Sequence, residues 1–166
     1  MKKLGTVAGV LGAAVFTLTF AFNAFAASSA KEQITAFENK CIGATTTDQA
    51  LACDDPQEIV VYDFEPPLEY SGEDAVRGDF NNFFSNAKDI KGKFLQINVV
   101  TDGRMGVVYS IQHFTWTSKD GKPMAMTFRV TDALHKVGGR WKIFHTHVSV
   151  PVNPADDKGQ TDLKLE

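Results

Sequence analysis

The sequence predicts an α+β fold, with helices packed on one face of a curved antiparallel sheet. Two observations carry this. Apolar residues recur at helical spacing in the first half, at Ile34, Phe37 and Cys41 and again at Val76, Phe80, Phe83 and Phe84. The second half is a run of long β-branched and aromatic stretches separated by Asp120-Gly121 and Gly138-Gly139, which are hairpin signals. Helices gathered at one end and strands at the other mean α+β rather than an alternating α/β fold.

Residues 1–26, MKKLGTVAGVLGAAVFTLTFAFNAFA, combine a basic start, an apolar stretch and a small-residue ending at Ala24-Phe25-Ala26. That pattern reads as a secretory signal peptide, so the mature chain is expected to be periplasmic or secreted, with no membrane attachment after cleavage. Loss of Lys2 and Lys3 leaves 15 basic against 20 acidic side chains. An acidic surface of this kind argues against nucleic acid as a partner, because phosphates demand a basic face.

Residues 27–152 suit one domain with one core. The stretch from Ser28 to about Gly43 is expected to be an amphipathic helix. TTTDQALACDD then offers Thr or Asp caps and a short apolar face for a second helix that Pro56 ends. EIVVYDF is β-rich, and EPPLEYSG is a turn and an edge, since two prolines remove ladder donors. Glu73 and Asp74 open a third helix in the turn that favours negative charge, and its aromatic stripe reads as core. Gly92 ends a linker, and KFLQINVVTDG, RMGVVYSIQHFTWTSKDG, KPMAMTFRVTDALHKVGG and RWKIFHTHVSVP follow as an antiparallel meander. Residues 153–166 lack apolar periodicity and are expected to be a flexible tail.

Cys41 and Cys53 are the only cysteines. Export would place them where thiols oxidise, so a Cys41–Cys53 disulfide is the expected state, with two buried free thiols as the alternative.

Three stretches, VVYDFEPPLEYSGEDAVRGDFNNFF, MTFRVTDALHK and GGRWKIFHTHVSVP, together with the element order, resemble the SnoaL-like branch of the fold shared by nuclear transport factor 2 and ketosteroid isomerase. The resemblance covers roughly residues 30 to 152. It implies a cone-shaped sheet whose concave face, with the helices, encloses a cavity. Isomerases, dehydratases, hydrolases, binding proteins and assembly modules all use this fold, so activity must be argued from residues.

Alternation along a strand puts Trp141, Ile143, His145, His147 and Ser149 on one face, and the resemblance turns that face toward the cavity. Arg129 and Thr131 join the histidines if the turn at Gly138 has an odd number of residues, whereas a strict two-residue turn puts Asp132 there instead. Tyr109 and His113 share parity on their own strand. Tyr62, Tyr70, Tyr109 and Trp116 are candidates for an aromatic wall. The expected ligand-binding set is therefore Tyr62, Tyr109, His113, Arg129, Thr131, His145, His147 and Ser149. Asp63, His145 and His147 are the candidate catalytic groups, and Arg129 calls for an anion, either a ligand carboxylate, Asp63 or Asp132, with an arginine reaching to solvent as the alternative.

These residues point to a small organic ligand, acidic or aromatic, held in the cavity. The alternatives are an acid/base enzyme using Asp63 or a histidine with Arg129, and a homodimeric assembly module with Lys142, Phe144, Thr146 and Val148 at its interface. No phosphate-cradling loop, dinucleotide fingerprint or nucleophile elbow is present in the sequence, and neither a cofactor nor a metal is expected.

Overall fold

The computed structural model describes residues 28–165. The segment expected to be a signal peptide lies outside the described residues. Helix α1 spans Ala30–Cys41 and α2 Thr47–Leu51, strands β1 and β2 span Val60–Tyr62 and Tyr70–Ser71, and α3 spans Glu73–Asn86. Four long strands follow, β3 (Ala87–Thr101), β4 (Met105–Ser118), β5 (Pro123–Val137) and β6 (Arg140–Ser149), and then a short pair, β7 (Val152–Asn153) and β8 (Lys158–Gly159).

Helix α1 starts on a reciprocal cap. The Ser29 hydroxyl accepts from the Glu32 N–H while the Glu32 carboxylate accepts from the Ser29 N–H, so two otherwise orphaned donors are satisfied. Arg77 of α3 donates to Asp48 of α2 at 2.9 Å and to Glu73 at 2.7 Å, and the Thr47 hydroxyl donates to Asn81. These exposed contacts fix orientation more than they stabilise.

The six-stranded sheet runs β2-β1-β6-β5-β4-β3. All neighbours are antiparallel except β1 and β6, which pair in parallel with Val60 opposite His145. The sheet is curved and unclosed, and the helices cover its concave face. The core beneath them joins Ile34 of α1 and Val76 of α3 to Val108, Leu134, Trp141 and Ile143 of the sheet.

Three details differ from the expectations. Strand β3 begins at Ala87, directly on the end of α3, so Gly92 ends no linker. Its role is close approach: a Cβ there would lie 2.6 Å from the Ile42 carbonyl oxygen and 2.6 Å from the Phe114 ring. The glycine lets the end of α1 sit directly on the sheet.

The C-terminal segment, expected to lack structure, forms the β7–β8 hairpin, and the Thr127 N–H donates to the Thr161 carbonyl at 2.7 Å. Chain polarity concealed this, because main-chain bonding to the first part of β5, which β6 does not reach, needs no apolar pattern.

The third difference decides the site. The Gly138-Gly139 turn has two residues, both at positive φ, with Val137 opposite Arg140. Leu134 therefore faces Ile143. The register then shifts, so that Ala133 faces His145 and Phe144 is left over as a β-bulge. One extra residue reverses the parity of everything after it. Trp141 and Ile143 point into the concave core, whereas His145, His147 and Ser149 point away from it, and Thr146 and Val148 take the inward places.

Candidate functional site

The concave face holds a cavity of about 340 Å³. Its wall is aromatic: Phe80, Phe83 and Phe84 come from α3, Phe114 and Trp116 from β4, Phe128 from β5, and Phe64 from the loop after β1. Successive rings meet edge-on or tilted, with Phe83 5.7 Å from Trp116 and Phe64 4.8 Å from Phe128 between centroids. Such packing makes a rigid apolar surface. Val76 alone of the α3 stripe is fully buried core, and the three phenylalanines beyond it line the cavity.

Six carboxyl side chains reach this space, and no basic side chain is among the described residues that line it. Three lie deep. Glu38 sits on α1 one turn before Cys41, on the stripe that includes Ile34, and is 2% exposed. Asp54 follows Cys53, in a segment that pairs with β6 through the Ile143 N–H to Cys53 carbonyl bond and the Asp55 N–H to Ile143 carbonyl bond. Asp132 is on β5, and its Oδ1 accepts from the Thr146 hydroxyl at 2.6 Å.

The Cys41–Cys53 disulfide joins the end of α1 to the Asp54 segment, so the expected pairing is present. It holds Glu38 and Asp54 in one corner of the cavity.

Glu38 Oε1 and Asp54 Oδ2 are buried with no hydrogen-bond partner. An ionised carboxylate in that situation is costly, and the group responds by keeping its proton. Burial, with the nearby charges of Asp132 and Asp54, pushes Glu38 up to about 9. Burial and the Asp132 charge push Asp54 up to about 8, although Lys142 pulls the other way. Burial raises Asp132 to about 6, opposed by its bond from Thr146. Two deep carboxyls are therefore neutral donors near pH 7.

Asp63 lines the same cavity and, like Glu65 and Asp79, is less buried than those three. Its Oδ1 accepts from the Phe64 N–H at 2.7 Å, and burial raises it to about 6. This is the range a general base working near neutrality requires.

The other residues expected in the cavity stand on the opposite face of the sheet. Tyr62, Tyr109, His113, Arg129, Thr131, His145, His147 and Ser149 are brought together there, as the register pairs Arg129 with Ser149, Thr131 with His147, and His113 with Thr127. The two-residue turn sets Arg129 and Thr131 outward, with Tyr109 and His113 on the same face of β4, and the Phe144 bulge brings His145, His147 and Ser149 to that face. His145 Nδ1 donates to the Val60 carbonyl at 2.9 Å, and its ring meets Tyr62 edge-on at 4.8 Å. His147 and Arg129 are exposed, and Arg129 has no ion-pair partner among the described residues. Arg129 and Asp63 lie on different faces and form no pair. Of the expected aromatic wall only Trp116 lines the cavity, while Tyr70 packs against the core.

Two of the interface residues expected of a dimer are turned inward by the same bulge. Thr146 and Val148 line the cavity, Phe144 stacks on His135 at 4.9 Å, and Lys142 Nζ donates to the Ala52 carbonyl. A His135 contact with Asp55 at 2.7 Å, with Glu58 nearby, is the one grouping of potential metal ligands among the described residues, and it lies apart from His113, His145 and His147.

Sequence reasoning missed Glu38, Asp54, Asp79 and most of the phenylalanines. A signal for Glu38 was available: Ile34, Glu38 and Cys41 stand at i, i+4 and i+7, which places a carboxyl on an apolar stripe.

No helix among the described residues is long and apolar enough to cross a membrane. No curated protein matches the sequence. Solved structures do. A protein of unknown function from Pseudomonas putida KT2440, described as NTF2-like, superposes with a TM-score of 0.72 at 19% identity, over 82% of this chain and 96% of that one. A nuclear transport factor 2-like superfamily protein from Salmonella enterica serovar Typhimurium gives 0.67 at 19% identity, covering 79% and 97%. A ketosteroid isomerase-like protein from Erwinia carotovora atroseptica gives 0.61 at 18% identity, covering 72% and 94%. These likenesses establish the shared cone-shaped fold. With residues 23–153 matching its sequence pattern, the chain belongs to the SnoaL-like domain family.

Proposed function

We propose that this chain is an exported binding protein for a small, ring-bearing organic molecule held in the conical cavity. The observation that carries the reading is a 340 Å³ aromatic-walled space whose deep corner holds two carboxyl oxygens with no protein partner. Apolar enclosure supplies affinity, and a few polar groups without partners supply orientation. An acidic ligand loses its anchor, since Arg129 stands on the other face and every charged lining group is a carboxyl.

Thermal shift with 4-phenylbutanol tests this. A ligand at about 100 times its Kd stabilises by about 2.7 kcal/mol, a shift of several degrees for a domain of this size. Wild type, Arg129→Ala and His145→Ala should shift equally, and Phe114→Ala should shift less. Equal shifts in wild type and Phe114→Ala, with loss in His145→Ala, would place binding on the outer face and overturn the reading.

Asp63 favours a second reading, acid/base catalysis on the bound molecule. Burial raises this carboxyl to about 6, and it lines the cavity beside Phe64. Turnover lost in Asp63→Asn with ligand affinity retained would establish it.

Export rests on the N-terminal pattern and agrees with the disulfide. A homodimer would use the outer sheet face, where Tyr62, Val100, Met105, Val107 and Tyr109 are exposed. Light scattering separates one copy from two.

A further inference from the structure

We infer that the cavity's ligand is an organic cation, a protonated amine carried on an aromatic or other apolar body, and that its entry releases a proton from the deep carboxyl corner. This rests on the cavity-binding reading and names the chemical class that the site selects.

The charge of the lining is one-sided, with six carboxyls and no base among the described residues. A neutral ring would need only the aromatic wall. A carboxylate ligand would meet like charge throughout. A cation gains twice, from the aromatic faces through cation–π attraction and from a carboxylate that has no other partner. Glu38 Oε1 and Asp54 Oδ2 are such groups: their residues are 2% and 6% exposed, and neither oxygen has a hydrogen bond to the protein. The buried corner thus holds acceptors that the fold leaves unused.

The exchange balances. In the free protein a deep carboxyl keeps its proton because burial disfavours the charged form. When an ammonium group arrives, the carboxyl ionises, the proton leaves to solvent, and the carboxylate accepts a hydrogen bond from the ammonium. No bond of the ligand changes.

The surroundings set the pH window. Glu38 comes from α1, Asp54 from the segment after α2, and Asp132 from β5. Lys142 of β6 favours the ionised form of Asp54, while Glu73 of α3 opposes it. Asp63, Glu65 and Asp79 add further carboxyls along the less buried part of the lining. Between pH 6 and about pH 7.5 the ammonium keeps its charge and Glu38 and Asp54 largely keep their protons, while Asp132 ionises. Amine affinity must therefore rise with pH, toward tenfold per unit for one proton released.

The test uses the full mature protein and three matched probes, 4-phenylbutylamine, 4-phenylbutanol and 4-phenylbutanoate. Isothermal titration calorimetry is run at pH 7 in phosphate and in Tris, whose different ionisation enthalpies report protons released. The expected order is amine over alcohol by tenfold or more, with the carboxylate weakest. Close to one proton should be released per amine and none per alcohol.

Asp54→Asn and Glu38→Gln keep shape while removing charge. At least one should lower amine affinity tenfold and abolish proton release, with a much smaller change in alcohol affinity and a melting temperature at or above that of wild type. Alcohol binding as tight as the amine, or amine binding without proton release, would overturn the cation assignment and leave the cavity reading standing. Failure of all three probes to bind would overturn both.

Discussion

Asp54→Asn should stabilise the protein at neutral pH and leave it nearly unchanged in acid. Asp54 is 6% exposed, its Oδ2 has no partner, and burial raises its carboxyl from 3.8 to about 8. A raised carboxyl means that the folded state holds a proton the unfolded chain has already released. The stability of the acid form is complete below pH 4, declines as pH rises, and levels off beyond pH 8. Each pH unit in that window costs about 1.4 kcal/mol. Between 3.8 and pH 7 the loss is about 4 kcal/mol, which an amide of the same shape does not incur.

Urea unfolding of wild type and variant at pH 4, 5.5 and 7 measures the difference directly, with m-values checked for constancy. Taking the difference cancels the slope contributed by Asp63, which titrates in both proteins, whereas Glu38 and Asp132 interact with Asp54 and their slopes cancel only in part. The variant should gain a few kcal/mol at pH 7, and the gain should shrink steadily toward pH 4. A difference independent of pH, or a variant less stable at pH 7 than at pH 4 relative to wild type, would refute the claim that this carboxyl is buried without compensation.

Two further outcomes follow from the geometry. Replacing Cys41 and Cys53 together by serine opens the loop that joins α1 to the Asp54 segment and should cost about 2 to 3 kcal/mol in urea unfolding, mainly through a freer unfolded chain. Deleting Phe144 removes the bulge and leaves β6 with either its histidines turned inward or its pairing with β5 slipped, so cooperative thermal unfolding should be lost, whereas Phe144→Ala should retain it.

The fold was readable because its signals are local and repeated. The stripe of Ile34, Phe37 and Cys41, the aromatic stripe from Val76 to Phe84, and the glycine turns between long β-rich runs each specify an element without reference to the others. The disulfide was legible for a similar reason, there being only two cysteines to pair.

The site depended on one register. Strict alternation holds for Trp141 and Ile143, and the ladder breaks at Phe144. A bulge has no sequence mark here, since Phe144 is an ordinary strand residue, and its effect is to invert the face of every residue beyond it. The histidines and Arg129 do share a face, but it is the outer one, because the two-residue turn sets Arg129 outward and the bulge brings the histidines to the same side.

The carboxyl corner was harder to foresee. Glu38, Asp54 and Asp132 are far apart in the chain and converge only because α1, the post-α2 segment and β5 meet above the concave face. Burial of acids runs against the usual preference for solvent, and groups placed at such a cost mark where function is to be sought.

Transferred nuclear Overhauser contacts from 4-phenylbutanol test most directly whether the cavity is the binding site. Ring protons of the bound alcohol should reach the methyl groups of Met126, Val130 and Val148, which line the concave wall. Contacts to the rings of Tyr62, His145 and His147 instead, with those methyl groups silent, would contradict it.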